Sequence, residues 1–381
     1  MASRKEVCAS VEKKLAGAVL GGDLGAVRVL VGLDGFVDEI IDVVDKRTSH
    51  EKYDRITTIA QWGGKILAAA GQSCNFELVV KQQKLGGNGP IMGNALAAMG
   101  WRTTYIGNLG VPTVHPVFQE FAKRAEVISF AEPAHTNALE FADGKVMLGN
   151  MGPLNDVTFD RMVSAVGMDR LVELMERSTL IGLVNWTMLP HMTEVWRRVL
   201  LEVVPKLSNK PRRIFVDLAD PERRLVEDLR EALAMLTQVN EKVHVILGLN
   251  LSEAQQVAGA LGLSKQENAE GAEGAIVEYA VRIREKLNLG TVVVHPRKGA
   301  AAANREGSAE MAGPFIVQPK ISTGAGDHFN AGFCAGQLLG MNLEESLAMG
   351  VGTSGYYVRN AESPTAAKLA GFIAEMPAPE A

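Results

Sequence analysis

Short apolar runs alternate along the chain with longer segments in which apolar residues recur every three or four positions. The runs at 27–31, 180–185, 213–217, 243–247 and 291–294 have the length of strands and no polar face, as expected for strands covered on both sides. Amphipathic stretches between them read as helices at about 88–99, 116–125, 169–177, 192–207, 221–236, 252–261 and 269–287. This alternation predicts an α/β fold with a mainly parallel sheet and crossover helices. A charged amphipathic helix is expected at about 4–19, within an N-terminal extension covering 1–26. Two stretches break the alternation, at about 38–85 and 135–150. In the second, Asn137-Ala-Leu-Glu-Phe and Lys145-Val-Met-Leu flank the turn Ala142-Asp143-Gly144, which predicts a hairpin. Both segments are read as a small β-rich lid on a single domain spanning 1–381. Residues 377–381 read as a frayed tail.

Composition narrows this only slightly. The 381 residues, 47% of them apolar, can bury a large α/β core, and 39 glycines favour a loop-rich protein over a helical bundle. Cys8, Cys74 and Cys334 are too scattered for a disulfide framework or a zinc site, so a reducing, cytoplasmic compartment is expected. No apolar run reaches the length of a membrane span and no signal-peptide core is evident, so no membrane partner is expected. A net charge of −5 argues against a general nucleic-acid binder, which needs a basic face.

The chemistry is concentrated in Thr323-Gly324-Ala325-Gly326-Asp327. Three small residues let backbone N–H groups converge on one anion, and the spacing of Phe329, Ala331, Phe333 and Leu338 starts a helix beside them, at about Asp327. A carboxylate there can take a proton from a hydroxyl that attacks a bound phosphoryl group. Equally, Asp327 can be an acid stabilised by the helix dipole. His328 is read as structural, directed away from that site. Asp34, Asp38, Glu39 and Asp42 form a second acidic stretch, part of it a solvated face. Gly86-Gly87-Asn88-Gly89 is a tight turn into a helix, and Ser252 with Gln255 spells a capping box. A dinucleotide fold is disfavoured, because the third glycine of Gly87-x-Gly89…Gly93 comes one residue late and Pro90 occupies the turn.

In this order the islands resemble the PfkB, or ribokinase-like, carbohydrate kinases over about 27–365. Gly32-Leu33-Asp34-Gly35-Phe36-Val37-Asp38 is similar to that family's first strand. Gly86-Gly87-Asn88-Gly89-Pro90, continuing to Tyr105-Ile106-Gly107-Asn108-Leu109-Gly110, is similar to its N-terminal signature. Asn250-Leu251-Ser252-Glu253 matches its Asn-x-x-Glu, and the 323–327 turn matches its C-terminal motif. The resemblance implies a Rossmann-like α/β/α three-layer sandwich with a lid, and transfer of the terminal phosphate of ATP to a hydroxyl of a sugar or polyol. It implies Asp327 as catalytic base, the Gly324, Ala325 and Gly326 backbone as anion hole, and Thr323 leading into that turn. Asp38, Gly87 and Asn88 match sugar-contacting positions. Asn250 and Glu253 match residues that organise Mg2+ through water, Lys298 and Gly299 lie in the loop beside the nucleotide, and K+ near the hole is a further expectation. A homodimer through the lid is also expected. Two departures leave the sugar open: Ile91 stands where many relatives carry a second asparagine, and Leu109-Gly110 leads to Val111-Pro112 without the usual acid. A nucleoside kinase of the same family, or a silent sugar- or nucleotide-binding homologue, are the alternatives.

Overall fold

The computed structural model describes residues 3–263 and 273–380. Nine strands form the main sheet, and five more form a second sheet beside it. In chain order the strands are β1 (Arg28–Gly32), β2 (Phe36–Arg47), β3 (Tyr53–Arg55), β4 (Leu78–Gly86), β5 (Arg102–Gly107), β6 (Glu126–Ser129) and β7 (Ala134–Phe141). They continue with β8 (Gly144–Asn150), β9 (Leu180–Leu183), β10 (Arg213–Asp217), β11 (His244–Leu249), β12 (Thr291–Val294), β13 (Gly299–Asn304) and β14 (Ser308–Ala312). The main sheet runs β14-β13-β12-β11-β10-β9-β1-β5-β6, parallel from β12 to β6 and closed at one edge by the antiparallel β13–β14 hairpin.

The apolar runs are continuous because both sheet faces are covered. In β10, Ile214 and Val216 join one core layer and Phe215 the other; in β11, Val245 and Leu247 alternate with Ile246 in the same way. Each large side chain so buried contributes about 1.5–3 kcal/mol. Helices Phe159–Val166, Met168–Arg177 and Val226–Asn240 contribute to one layer, while Arg4–Gly21, Asn88–Ala98, Ala325–Leu338 and Leu343–Asn360 contribute to the other.

Several expected elements change at their ends. The 116–125 segment splits into a 3-10 turn, Pro116–Phe118, and a short helix, Gln119–Ala122. The 192–207 segment is α-helical only over Met192–Arg198 and then loosens ahead of Pro205, which lacks the amide a helix needs. The first four residues of the helix expected at 269–287 lie outside the described residues; the helix observed is Glu273–Leu287. The tail is tied rather than frayed. Glu380 donates its N–H to the Phe315 carbonyl at 3.0 Å and accepts from the Val317 amide at 2.7 Å, and Arg4 donates to the Pro377 carbonyl at 2.8 Å; Ala381 lies outside the described residues.

The second sheet is the lid. Its long strand β2 pairs antiparallel with β3 and β4 and parallel with β7, and β7–β8 is the expected hairpin. The 38–85 segment also carries a helix, Ile59–Ala68, seated on the lid by Trp62, whose ring stacks on Phe141 at 5.7 Å.

Helices Ala325–Leu338 and Leu343–Asn360 cross in close contact beneath the 323–327 turn. A side chain at Gly332 would collide with the Thr353 hydroxyl and come within 2.5 Å of the Met349 carbonyl. Gly332→Ala is therefore expected to destabilise the fold by about 1–3 kcal/mol, read from urea unfolding, by forcing the two helices apart. An unchanged unfolding midpoint would contradict this packing.

Candidate active site

The strand order reverses at β1, and the chemistry gathers at the carboxyl ends of the strands around that point, where open α/β sheets leave a crevice. Asp34 follows β1 and is fully buried. Its carboxylate accepts from the Asn88 amide at 2.9 Å, the Gly89 amide at 2.8 Å and the Asn185 side chain at 2.7 Å. The Tyr105 hydroxyl donates to its backbone carbonyl. Burial outweighs these donors and pushes Asp34 up to about 6. The arrangement explains the glycine turn: Gly87 has φ +97, and a side chain there would lie 2.8 Å from an Asp34 oxygen. Asn88 then opens helix Asn88–Ala98.

On the facing wall, Gly324 caps helix Ala325–Leu338 with φ +87, so the helix begins two residues earlier than expected. Among the described residues the Gly324 and Gly326 amides have no acceptor, whereas the Ala325 amide donates to the Ser322 carbonyl at 3.2 Å. Ile91 packs against Gly324, whose β-carbon would meet it at 3.2 Å. Asp327 lies in the first turn of the helix and is 9% exposed. Burial holds its carboxyl well above the usual range. The Asp34 charge raises it further, the Asn88 side chain opposes by hydrogen bonding, and Glu253 adds to the rise.

Asp38 stands on β2 of the lid, opposite Lys84 and Thr136, and is likewise raised by burial against a Thr136 hydrogen bond. Burial, and then the charges of Asp327 and of the lid's Asp38, push the Tyr357 hydroxyl up to about 12.

The capping box is not at Ser252 and Gln255. Asn250 caps helix Leu251–Ala260 and Glu253 completes the box, because the helix starts one residue sooner. Glu253 accepts from the Asn250 amide at 2.8 Å and from the Asp220 amide at 3.0 Å. It thereby pins the Ala219–Asp220 loop, where both residues have positive φ. Asp217, the last residue of β10, is raised by burial and then by the charges of Glu253 and Asp327, and its Oδ1 has no partner among the described residues.

Beside the glycine turn lies a cavity of about 400 Å³ lined by Asn250, His295, Arg297, Gly299, Phe315, Ala325 and Gly326, among others. Lys298 is exposed, with its ammonium 5.2 Å from the Phe315 ring centre. The Thr323 carbonyl accepts from Tyr357 at 2.9 Å. Sequence reading passes over Asn185, Asp217 and Tyr357, whereas His295 lies in the loop expected beside the nucleotide and lines this cavity. Asn185 carries one usable signal, a lone asparagine closing an apolar strand.

A nine-stranded α/β sheet, a β lid and a glycine turn that opens a helix beside a buried aspartate define a ribokinase-like carbohydrate kinase of the PfkB class. The chain belongs to the prokaryotic ketohexokinase family, whose description matches residues 7–376, and it is an ATP-dependent carbohydrate kinase. It is 28% identical to a ketohexokinase of Haloferax volcanii, over 91% of this chain and 90% of that one. Its fold is similar to Arabidopsis thaliana ribokinase complexed with ribose and ATP, with a TM-score of 0.62 at 16% identity over 92% and 99% of the two chains. A nucleoside kinase from Methanocaldococcus jannaschii gives 0.58 at 13% identity over 92% and 99%.

Asp34→Ala leaves two helix amides and the Asn185 amide without an acceptor in a buried place. It is expected to destabilise the protein by about 2–5 kcal/mol in chemical denaturation. A loss below about 0.5 kcal/mol would contradict the anchoring role.

Proposed function

We propose that this chain phosphorylates a ketohexose at the expense of ATP, with Asp327 as base. The observation that carries the reading is the meeting of two glycine turns, with Ile91 packed on Gly324 and the lid's Asp38 lying against Gly86, beside Asp327 and the free amides of Gly324 and Gly326. In the proposed step Asp38, Gly87 and Asn88 orient the sugar, and Asp327 takes the proton from the attacking hydroxyl. That oxygen bonds to the terminal phosphorus as the bond from phosphorus to the departing ADP oxygen breaks. The Gly324 and Gly326 amides, at a helix N-terminus, stabilise charge on the transferring oxygens, while Ala325 and Thr323 shape the turn. The cavity lined by Asn250, Arg297 and Gly299 would take the nucleotide, with Lys298 at its rim.

Among the described residues no three His, Cys, Asp or Glu side chains are grouped so as to hold a metal ion directly, so a cation drawn by the charge of Asp217, Glu253 and Asp327 would keep its own water shell. Both Glu253 oxygens already hold amides, so it and Asn250 would meet Mg2+ through water, as suits an ion that keeps its hydration. Bound Mg2+ would neutralise phosphate charge. K+ beside the hole remains part of the proposal, to be tested by exchange for Na+. Leu78, Val80, Met147 and Leu148 are exposed on the lid strands and favour pairing with a second copy there. The free cysteines support a cytoplasmic setting; no helix among the described residues is long and apolar enough to cross a membrane.

Turnover of D-fructose against a panel of other hexoses, pentoses and nucleosides, with ATP and Mg2+, tests the substrate. Turnover of nucleosides alone would favour the nucleoside-kinase alternative, and no turnover a silent homologue. Asp327→Asn is expected to lower kcat by about 10²- to 10⁴-fold with folding and nucleotide binding intact, and near-normal turnover would reject Asp327 as base. Because burial raises the Asp327 carboxyl, it keeps its proton to higher pH than an ordinary carboxylate, and a base acts only when deprotonated. The acid limb of kcat/KM should therefore break above the ordinary carboxylate range, and a break near pH 4 would contradict the assignment.

A further inference from the structure

Two aromatic residues behind the glycine turn bond to consecutive carbonyls of its backbone. The Tyr357 hydroxyl donates to the Thr323 carbonyl at 2.9 Å, and His328 Nδ1 lies 2.7 Å from the Gly324 carbonyl. The two rings stack with centres 3.6 Å apart and planes 12° from parallel. His328, expected to point away, thus turns back onto the cradle.

The polar groups fit one sequence of donors. Asn94 donates to the Ser363 oxygen at 3.2 Å, the Ser363 hydroxyl donates to His328 Nε2 at 2.9 Å, and Nδ1–H donates to the Gly324 carbonyl. That order requires a neutral imidazole, and burial pushes His328 down to about 4.

The consequence follows from peptide geometry. In a planar trans peptide the C=O and N–H point in opposite directions. Holding the Thr323 carbonyl toward Tyr357 therefore aims the Gly324 amide the other way, toward the open side of the turn. The Gly324 carbonyl accepts both the His328 backbone N–H at 3.1 Å and its ring Nδ1–H, so the next peptide is held by the helix itself, with the Ala325 amide on Ser322. Gly324 at φ +87 is free to rotate in ways a side chain would prevent, so an external restraint is needed to fix its amide.

We propose that Tyr357 is a positioning residue that aims the Gly324 amide at the transferring phosphoryl group, with the stacked His328 ring holding Tyr357 in place. The inference rests on the reading of the 324–326 turn as anion hole. Neither side chain touches the reacting atoms. An amide that swings freely stabilises the transition state less, while ground-state binding of sugar and nucleotide depends on other groups.

The test compares Tyr357→Phe, His328→Leu, His328→Asn and Asp327→Asn with the wild-type protein, using whichever sugar of the panel the wild type turns over. Tyr357→Phe keeps the stacked ring and loses only the hydroxyl. It should lower kcat about 10- to 100-fold with both KM values within about twofold. Its affinity for ADP with aluminium fluoride and sugar, a mimic of the transferring group, should fall by a similar factor, with ADP binding unchanged. His328→Leu and His328→Asn both lose the ring stacked on Tyr357 while keeping the backbone bond to the Gly324 carbonyl, so each should lower kcat in the same direction with KM values little changed. Unchanged kcat in Tyr357→Phe, or a kcat loss with undiminished affinity for the aluminium fluoride complex, overturns the proposal. If Asp327→Asn is crippled in that case, the reading of the site itself stands; if Asp327→Asn is also unaffected, that reading fails with it.

Discussion

The site depends on one buried carboxylate that is not the proposed base. Asp34 binds the first two amides of helix Asn88–Ala98 and the side chain of Asn185, so it joins the ends of β1 and β9 to a helix start at the place where the strand order reverses. A buried acceptor with three donors is costly to leave unmade, which makes the geometry rigid. Asn88 is thereby held near enough to Asp327 for its side chain to oppose the rise of that carboxyl. Without Asp34 the glycine turn at Gly87 has no reason to be tight, and the two walls of the site have no fixed relation.

Around that anchor the acids are crowded in a way that serves chemistry rather than stability. Asp34, Asp38, Asp217, Glu253 and Asp327 are all raised, in each case first by burial. Keeping several carboxyls out of water and near one another destabilises the folded state whenever they ionise. The same arrangement makes the proposed base more basic and creates an electrostatic demand for a cation accompanying a phosphate. In the proposed reading the two free amides of the glycine turn answer that negative charge, and behind them the Thr323 and Gly324 carbonyls are bonded by the stacked Tyr357 and His328.

Much of the fold was legible because parallel strands covered on both faces leave unbroken apolar runs. β10 and β12 fall where the runs end. The alanine strand β13 was invisible, since Gly-Ala-Ala-Ala-Ala-Asn has helical propensity and becomes a strand through pairing with β12 and β14. The glycine turn with Asp327 was legible as local chemistry, because nest and acid are neighbours in sequence. Asp34 was ambiguous for the opposite reason: its partner Asn185 lies 151 residues away, and nothing local separates a buried anchor from a solvated acid. Glu253 shows how one spacing can serve two ends, since its capping box is itself the Asn-x-x-Glu segment.

The most direct test of this account is a crystal structure with the sugar and a non-hydrolysable ATP analogue bound. The account predicts an Asp327 oxygen within about 2.6–3.2 Å of the acceptor hydroxyl, with the terminal phosphate on the Gly324 and Gly326 amides. A terminal phosphate bound away from that turn, or an acceptor hydroxyl facing another acid, would contradict it.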